Sequence, residues 1–411
     1  MTHKSKASAN ERISSPKMDI EVPSKLPMRI AEVMHSRAYN RGLLQTREGD
    51  VYLYKDGVYE IRGKDTLQTD VWRFLDRCFS KNEHGQKCPI DARKNKVGEV
   101  LDALKAISIK EDARLGKWLE GPQINVLNMR NGLLDLSERK LQSHSNNFFT
   151  MTQLPYEFDP DARCPRFEKF VSEIFDDDQE MIWRLQEIFG YLVSGDTRLQ
   201  KWFFIGGAPR SGKGTLVRIV TSILGHQNVS SVTLDQMGQT FGLQGSIGKS
   251  LMTIPDAQDP VRRGAVVERI LSIVGEDDVS IQRKHLKDII GPMTARILMA
   301  GNRLPMLQET STALIKRLVI VETTGSWFGR EDHFLYDRLM KELPGILNWS
   351  LDGYDRLCRE NRFTDVARLN AANREALELS SPISVFIEEH IDFDDRNAWI
   401  ETSELLNAYV T

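Results

Sequence analysis

The sequence predicts an α/β protein built on a mainly parallel sheet flanked by helices, and three features predict it. A strand-like run, Trp202-Phe-Phe-Ile, leads into a glycine-rich loop and then into an amphipathic helix with Gly225 as its stop. Further apolar runs end at Ile254, Ala300 and Val321, with helical patterns between them. That alternation is what a parallel sheet requires. The 411 residues, 40% of them hydrophobic, suffice for two or three domains with a sizeable core.

Each segment can be justified in order. Residues 1–25 are polar, lack periodicity and read as a disordered tail. An N-terminal α+β module is expected over 26–150. In it, Asp50 to Arg62 alternates in the strand manner around Asp56-Gly57, the pattern of a hairpin. Helices are predicted near Thr69–Phe79 and Ala92–Ile107. Asn128 to Leu136 reads as a turn entering a strand. A helical region follows at 151–195, with apolar residues three and four apart over Arg166–Phe175 and Gln179–Val193. The α/β core is expected at 196–325 and a helical part at 326–378. Ser380-Ser-Pro-Ile begins a further region, 379–411, that looks cut short.

Composition excludes several classes. No run approaches the ~20 apolar residues that span a membrane. The basic N-terminus has no apolar stretch behind it, so it is not a secretory signal; a cytoplasmic protein is expected. Cys78, Cys88, Cys164 and Cys358 form no CxxC pair and have no histidine cluster beside them. They read as reduced thiols rather than zinc ligands. The net charge of −3 argues against a protein that coats DNA with its whole surface. Nucleic-acid binding would need basic residues gathered locally, as in a channel.

The loop Gly207-Ala208-Pro209-Arg210-Ser211-Gly212-Lys213-Gly214-Thr215 follows the phosphate-loop pattern up to its lysine, between a strand and a helix as that motif demands. Glycines let backbone N–H groups converge on phosphate oxygens, and the helix N-terminus favours negative charge. Lys213, expected to face solvent in a cleft, would reach the β- and γ-phosphates of a nucleotide. The usual next residue carries a hydroxyl for magnesium. Here it is Gly214, with Thr215 one place later, which puts direct ligation by the loop in question. The Gly-Lys-Gly-Thr ending also occurs in adenylate kinases, so the loop alone selects no reaction.

Three further positions complete a candidate ATP-hydrolysing set. Leu251 to Asp256 is an apolar run ending in a carboxylate, the place of an acid that holds magnesium opposite the phosphate loop. Pro255 stands where many such sites have a second acid. Either Asp256 serves both metal and water, or Asp259 assists. Arg296 to Asn302 ends a third run in an amide able to orient the attacking water. Arg317, beside Lys316 before the last strand, suits a finger whose planar fork matches phosphate oxygens. The catalytic candidates are thus Lys213, Asp256, Asn302 and Arg317; Asp256 and Thr215 are the metal candidates; ATP and Mg2+ are the expected ligands.

In this order, and with Asn302-Arg-Leu-Pro305, these residues resemble superfamily 3 helicases. They are closer still to the helicase half of phage, plasmid and poxvirus primase–helicases. Gly275 to His285 is similar to the additional motif of that superfamily. Residues 128–195 are similar to its collar, through Asn131-Gly-Leu-Leu-Asp135, Asp159 to Pro165 and Leu185 to Tyr191. The resemblance covers roughly 50–400. It implies a modified P-loop AAA+ fold, a homo-hexameric ring, and ATP-driven translocation on single-stranded and forked DNA, typically 3′ to 5′. It also implies a DNA-binding hairpin, onto which Arg283, Lys284, His285 and Lys287 fall. Relatives often carry a primase domain before the collar, which leaves a separate primase as an expected partner. They end in a winged-helix domain, of which 379–411 would be the beginning. Two other readings stay open: an origin-binding or helicase-loading ATPase without unwinding, and a nucleoside monophosphate kinase-like phosphotransferase.

Overall fold

The computed structural model describes residues 18–46, 49–284, 286–305, 307, 312–367, 369, 390–391 and 399–410. The chain divides into two compact units between Ala113 and Arg114. Residues 114–150, read from sequence with the N-terminal module, fall in the second.

In the first unit three helices, Pro27–Arg37, Lys64–Asp76 and Lys94–Ser108, each bury one apolar stripe, for instance Ile30 with Met34, Leu67 with Val71, and Val97 with Val100. The stripes meet in one core. The expected hairpin is present as Val51–Lys55 and Val58–Ile61, joined by Leu43–Gln45 into an antiparallel meander. Asp56 (φ 50°) and Gly57 (φ 89°) both take left-handed conformations. A two-residue turn that matches the strand twist needs this, and these residue types tolerate it. The predicted helix over Thr69–Phe79 stops early, at Asp76, because Cys78–Lys81 becomes a strand beside Ile20–Glu21. Cys78-Phe79 fits either period; a partner distant in sequence decides between them.

The second unit opens with an antiparallel sheet of Val126–Met129, Gly132–Asp135 and Lys140–Gln142. Its principal sheet contains β1 (Trp202–Gly207), β2 (Val229–Ser231), β3 (Leu251–Ile254), β4 (Arg296–Ala300) and β5 (Leu318–Thr323) in the order β2-β3-β4-β1-β5. Every neighbouring pair is parallel. β3 and β4 are buried at every residue, and β1 through Gly206. Continuous burial, rather than alternation, is what a sheet covered on both faces requires.

Helices α1 (Pro165–Phe175), α2 (Gln179–Ser194), α3 (Lys213–Leu224), α4 (Arg263–Gly275) and α5 (Leu343–Glu360) share the sheet's core. α2 starts where the Asp178 carboxylate accepts from Met181 N at 3.1 Å and stops at Gly195. α5 lies close against α2: a Cβ on Gly190 would stand 2.3 Å from Ser350 O, and one on Gly353 2.4 Å from Gln186 O. The pair is also tied by charge. Arg356 Nε donates to the buried Glu187 carboxylate at 2.7 Å, and Thr364 N and Oγ1 both donate to it at 2.6 Å. These donors satisfy a carboxylate that would otherwise be costly to bury. Among the described residues, no helix is long and apolar enough to cross a membrane. The region expected to begin a winged-helix-like domain lies largely outside the described residues, which there include the helix Thr402–Val410.

Candidate functional site

A parallel sheet brings the C-terminal ends of its strands to one edge, and here that edge gathers most of the candidate residues. β1 runs into the glycine-rich loop, β3 into Asp256, and β4 into Asn302. Because β4 lies between β3 and β1, Asn302 stands between Asp256 and the loop. Backbone bonds beyond the strand ends hold this register. Ala257 N donates to Ala300 O at 2.9 Å and Gly301 N to Ile205 O at 3.2 Å.

The loop folds as its glycines dictate. Gly207 has φ 141° and Gly212 φ 95°. A Cβ on Gly207 would come within 2.1 Å of Thr323 Oγ1, so only glycine fits there. α3 begins at Lys213, directly behind the loop, with its N-terminal N–H groups at the cradle. The expectation that Lys213 faces solvent is corrected: it is buried, and its side chain curls back over its own loop. Nζ donates to Gly207 O at 2.7 Å and to Ala208 O at 2.5 Å, and lies 3.4 Å from Ser211 Oγ. Burial lowers the ammonium pKa from its ordinary value. Gly214 is exposed, and a Cβ there would meet nothing within 4 Å. The fold itself therefore does not demand glycine after the lysine. Thr215 sits partly buried one residue on.

The segment after β5 braces the loop from outside. Ser326 Oγ donates to Pro209 O and Trp327 N to Arg210 O, each at 2.9 Å, and Arg210 pairs with Glu331 at 3.4 Å. Sequence reasoning missed this brace, because single polar residues in a loop carry no periodic signal.

Asp256 is exposed at the strand end, where Gln258 Nε2 donates to its carboxylate at 3.1 Å. Asp259 is engaged otherwise: Arg303 Nη2 donates to it at 3.0 Å, tying the loop after β3 to the loop after β4. Asn302 is exposed. Among the described residues no cluster of three or more His, Cys, Asp or Glu side chains could hold a metal ion.

Arg317 is not brought to this edge. It precedes β5, whose first residue pairs with Trp202 at the start of β1, so it lies at the opposite end of the sheet. Its Nη1 donates to Leu271 O, in the last turns of α4, at 3.2 Å.

The Gly275–His285 segment contributes one strand of an antiparallel hairpin, Val279–Ile281 with Ile289–Gly291. Lys284 and Lys287 are exposed on its loop. Arg283 is buried instead, its Nε donating to Lys287 O at 2.7 Å and closing the loop. Lys284 N donates to Gln244 Oε1 at 3.3 Å. His285 lies outside the described residues.

Residues 41–176 match the family described as D5 N terminal like. Residues 204–317, from β1 to Arg317, match a family of unknown function, DUF5906. Among solved structures, the apo C-terminal region of NrS-1 is similar at 13% identity and TM-score 0.53, covering 94% of this chain and 87% of that one. A second apo form of the same region aligns at 12% identity and TM-score 0.51, covering 90% and 84%. At such identity the likeness is one of fold. The two family matches, side by side along the chain, fit the phage primase–helicase resemblance.

Proposed function

We propose that this chain is an ATP-hydrolysing motor of DNA replication: a superfamily 3-type helicase that moves along single-stranded DNA, 3′ to 5′, as a homo-hexameric ring. The observation that carries the reading is the edge where the glycine-rich loop, Asn302 and Asp256 end adjacent parallel strands. An AAA+-like site needs a sensor amide between its phosphate loop and its acid, and the order β3-β4-β1 supports that assignment. The D5 N-terminal-like match supports the replication setting.

Each residue then has a task. Lys213 donates to Gly207 O and Ala208 O, which fixes its side chain over the loop, and the third proton, in only a long contact with Ser211 Oγ, is the one that would serve a phosphate oxygen. The loop N–H groups and the N-terminus of α3 stabilise phosphate charge. Magnesium would enter with the phosphates, held by Asp256 and Thr215, and would neutralise charge there. One carboxylate and one hydroxyl suit an ion that the substrate brings. Asn302 orients the attacking water, and Asp256 is the acid placed to polarise it. Arg317 would act on the site of a neighbouring subunit. Lys284, Lys287 and His285 would grip DNA phosphates without reading bases.

The test is ATP turnover by the full chain with and without single-stranded DNA, alongside unwinding of a forked duplex. Expected are stimulation by DNA, strand separation, and a loss of ~100-fold or more in Lys213→Ala. Turnover within two-fold of wild type in Lys213→Ala would remove the loop assignment. Stimulation by a nucleoside monophosphate and not by DNA would favour a phosphotransferase. DNA-stimulated turnover without unwinding would favour an origin-binding or loading ATPase.

A further inference from the structure

Behind the phosphate loop lies a pair of buried hydroxyls that no motif in the sequence marks. Ser211 and Thr323 are 1% and 5% exposed, and their oxygens are 2.6 Å apart. Ser211 is the loop residue whose Oγ faces the Lys213 ammonium. Thr323 ends β5, and its Oγ1 also lies 3.1 Å from Gly206 O. The absence of a side chain at Gly207 is what admits that hydroxyl.

The geometry gives the row a direction. Thr323 Oγ1 donates to Ser211 Oγ at 2.6 Å, and its contact with Gly206 O, at 3.1 Å, is the longer of the two. Ser211 Oγ accepts from Thr323 on one lone pair and faces the Lys213 ammonium with the other. Without the Thr323 hydroxyl, Ser211 loses the donor that holds its oxygen toward Lys213.

We propose that Thr323 is a positioning residue that, through Ser211, fixes the Lys213 ammonium in the orientation it needs toward phosphate. This rests on the reading of the loop as an ATP site. The two short bonds to Gly207 O and Ala208 O set where the lysine lies. The long contact to Ser211 holds its third proton in a place from which a phosphate oxygen can take it. Thr323 thereby makes the edge strand part of the loop's machinery.

The experiment compares wild type with Thr323→Val, which keeps the shape and drops the hydroxyl, Thr323→Ser, which keeps the hydroxyl, and Ser211→Ala. The first readout needs no nucleotide: the rate of Lys213 acetylation by an amine-selective reagent, read by mass spectrometry against exposed Lys284 in the same chain. The second is the division of ATP turnover between kcat and KM. Thr323→Val should speed Lys213 acetylation several-fold and lower kcat about ten-fold, less than a 1 Å misplacement of a reacting group can cost, with KM nearly unchanged. Ser211→Ala should act the same way, and Thr323→Ser should restore both readouts. Wild-type acetylation and kcat in Thr323→Val would overturn the proposal. So would a folded Thr323→Ser as impaired as Thr323→Val, since the lost methyl would then matter and not the hydroxyl. If Thr323→Val does not fold, Ser211→Ala removes the same link: faster acetylation and lower kcat support the proposal, and wild-type values overturn it. Failure of ATP to protect wild-type Lys213 from acetylation would refute the loop reading instead, and the nucleotide-free rates would still judge the hydroxyl row.

Discussion

Cys78 and Cys164 show how far a single residue's behaviour follows from its surroundings. Both are buried, and burial pushes each thiol up to about 12. The thiolate is the reacting species, so at pH 8 roughly one such thiol in ten thousand is reactive at any moment. Cys358 is exposed, with Arg198 Nη2 3.2 Å from its sulfur. In the folded protein at pH 8 an alkylating reagent should therefore label Cys358 first, then Cys88, and reach Cys78 and Cys164 only on denaturation. Peptide mapping after timed quenching reads this directly. Labelling of Cys78 as fast as Cys358 would mean that the first unit's core is open. The sequence named these cysteines as thiols but could not rank them, because burial is decided by contacts distant along the chain. Lys213 gives the same lesson. The motif identified it and the strand and helix around it, yet the carbonyls that capture its ammonium depend on backbone angles in the loop, which no periodicity records.

At the scale of elements, the helices and strands of the core were legible because each has a long, one-sided apolar pattern. α1, α2 and β1 start or stop within about two residues of the expected positions, as such patterns allow. Short apolar pairs were not legible: Cys78-Phe79 joined a strand because Ile20 lay beside it. The hairpin at 279–291 falls between these cases. Its basic cluster was visible, but the inward turn of Arg283 was not. That turn separates two kinds of cation. Lys284 and Lys287 face solvent, and if they neutralise DNA phosphates, replacing both with alanine should reduce the salt dependence of single-strand binding by about 1.4 units of slope. Fluorescence anisotropy over a salt series measures it. Arg283→Ala should instead loosen the loop, raising hydrogen exchange over 282–288 while changing the slope less. An unchanged slope in the double lysine variant would take the hairpin out of the DNA path.

At the scale of the whole molecule, the position of Arg317 sets the requirement. β5 carries Thr323 at the loop's edge and begins just after Arg317 at the other. Six residues of strand put roughly 20 Å between the two ends. Arg317 therefore cannot complete the site of its own subunit without unmaking the sheet. If it stabilises transition-state charge, it does so for a neighbour, which makes each working site the property of an interface. Mixing Lys213→Ala subunits with Arg317→Ala subunits tests this. Neither variant alone has a competent interface. In a mixture, a site works where an Arg317→Ala subunit supplies the intact loop and the adjoining Lys213→Ala subunit the intact arginine. With equal, random mixing in a closed head-to-tail ring, about a quarter of the interfaces meet that condition. ATP turnover should recover toward that fraction of wild type and fall on either side of the equal ratio. No recovery at any ratio, with mixed assembly confirmed by native mass spectrometry, would leave Arg317 as a structural cation. Its bond to Leu271 O near the C-terminus of α4, where a positive charge is favoured, would then be its whole role.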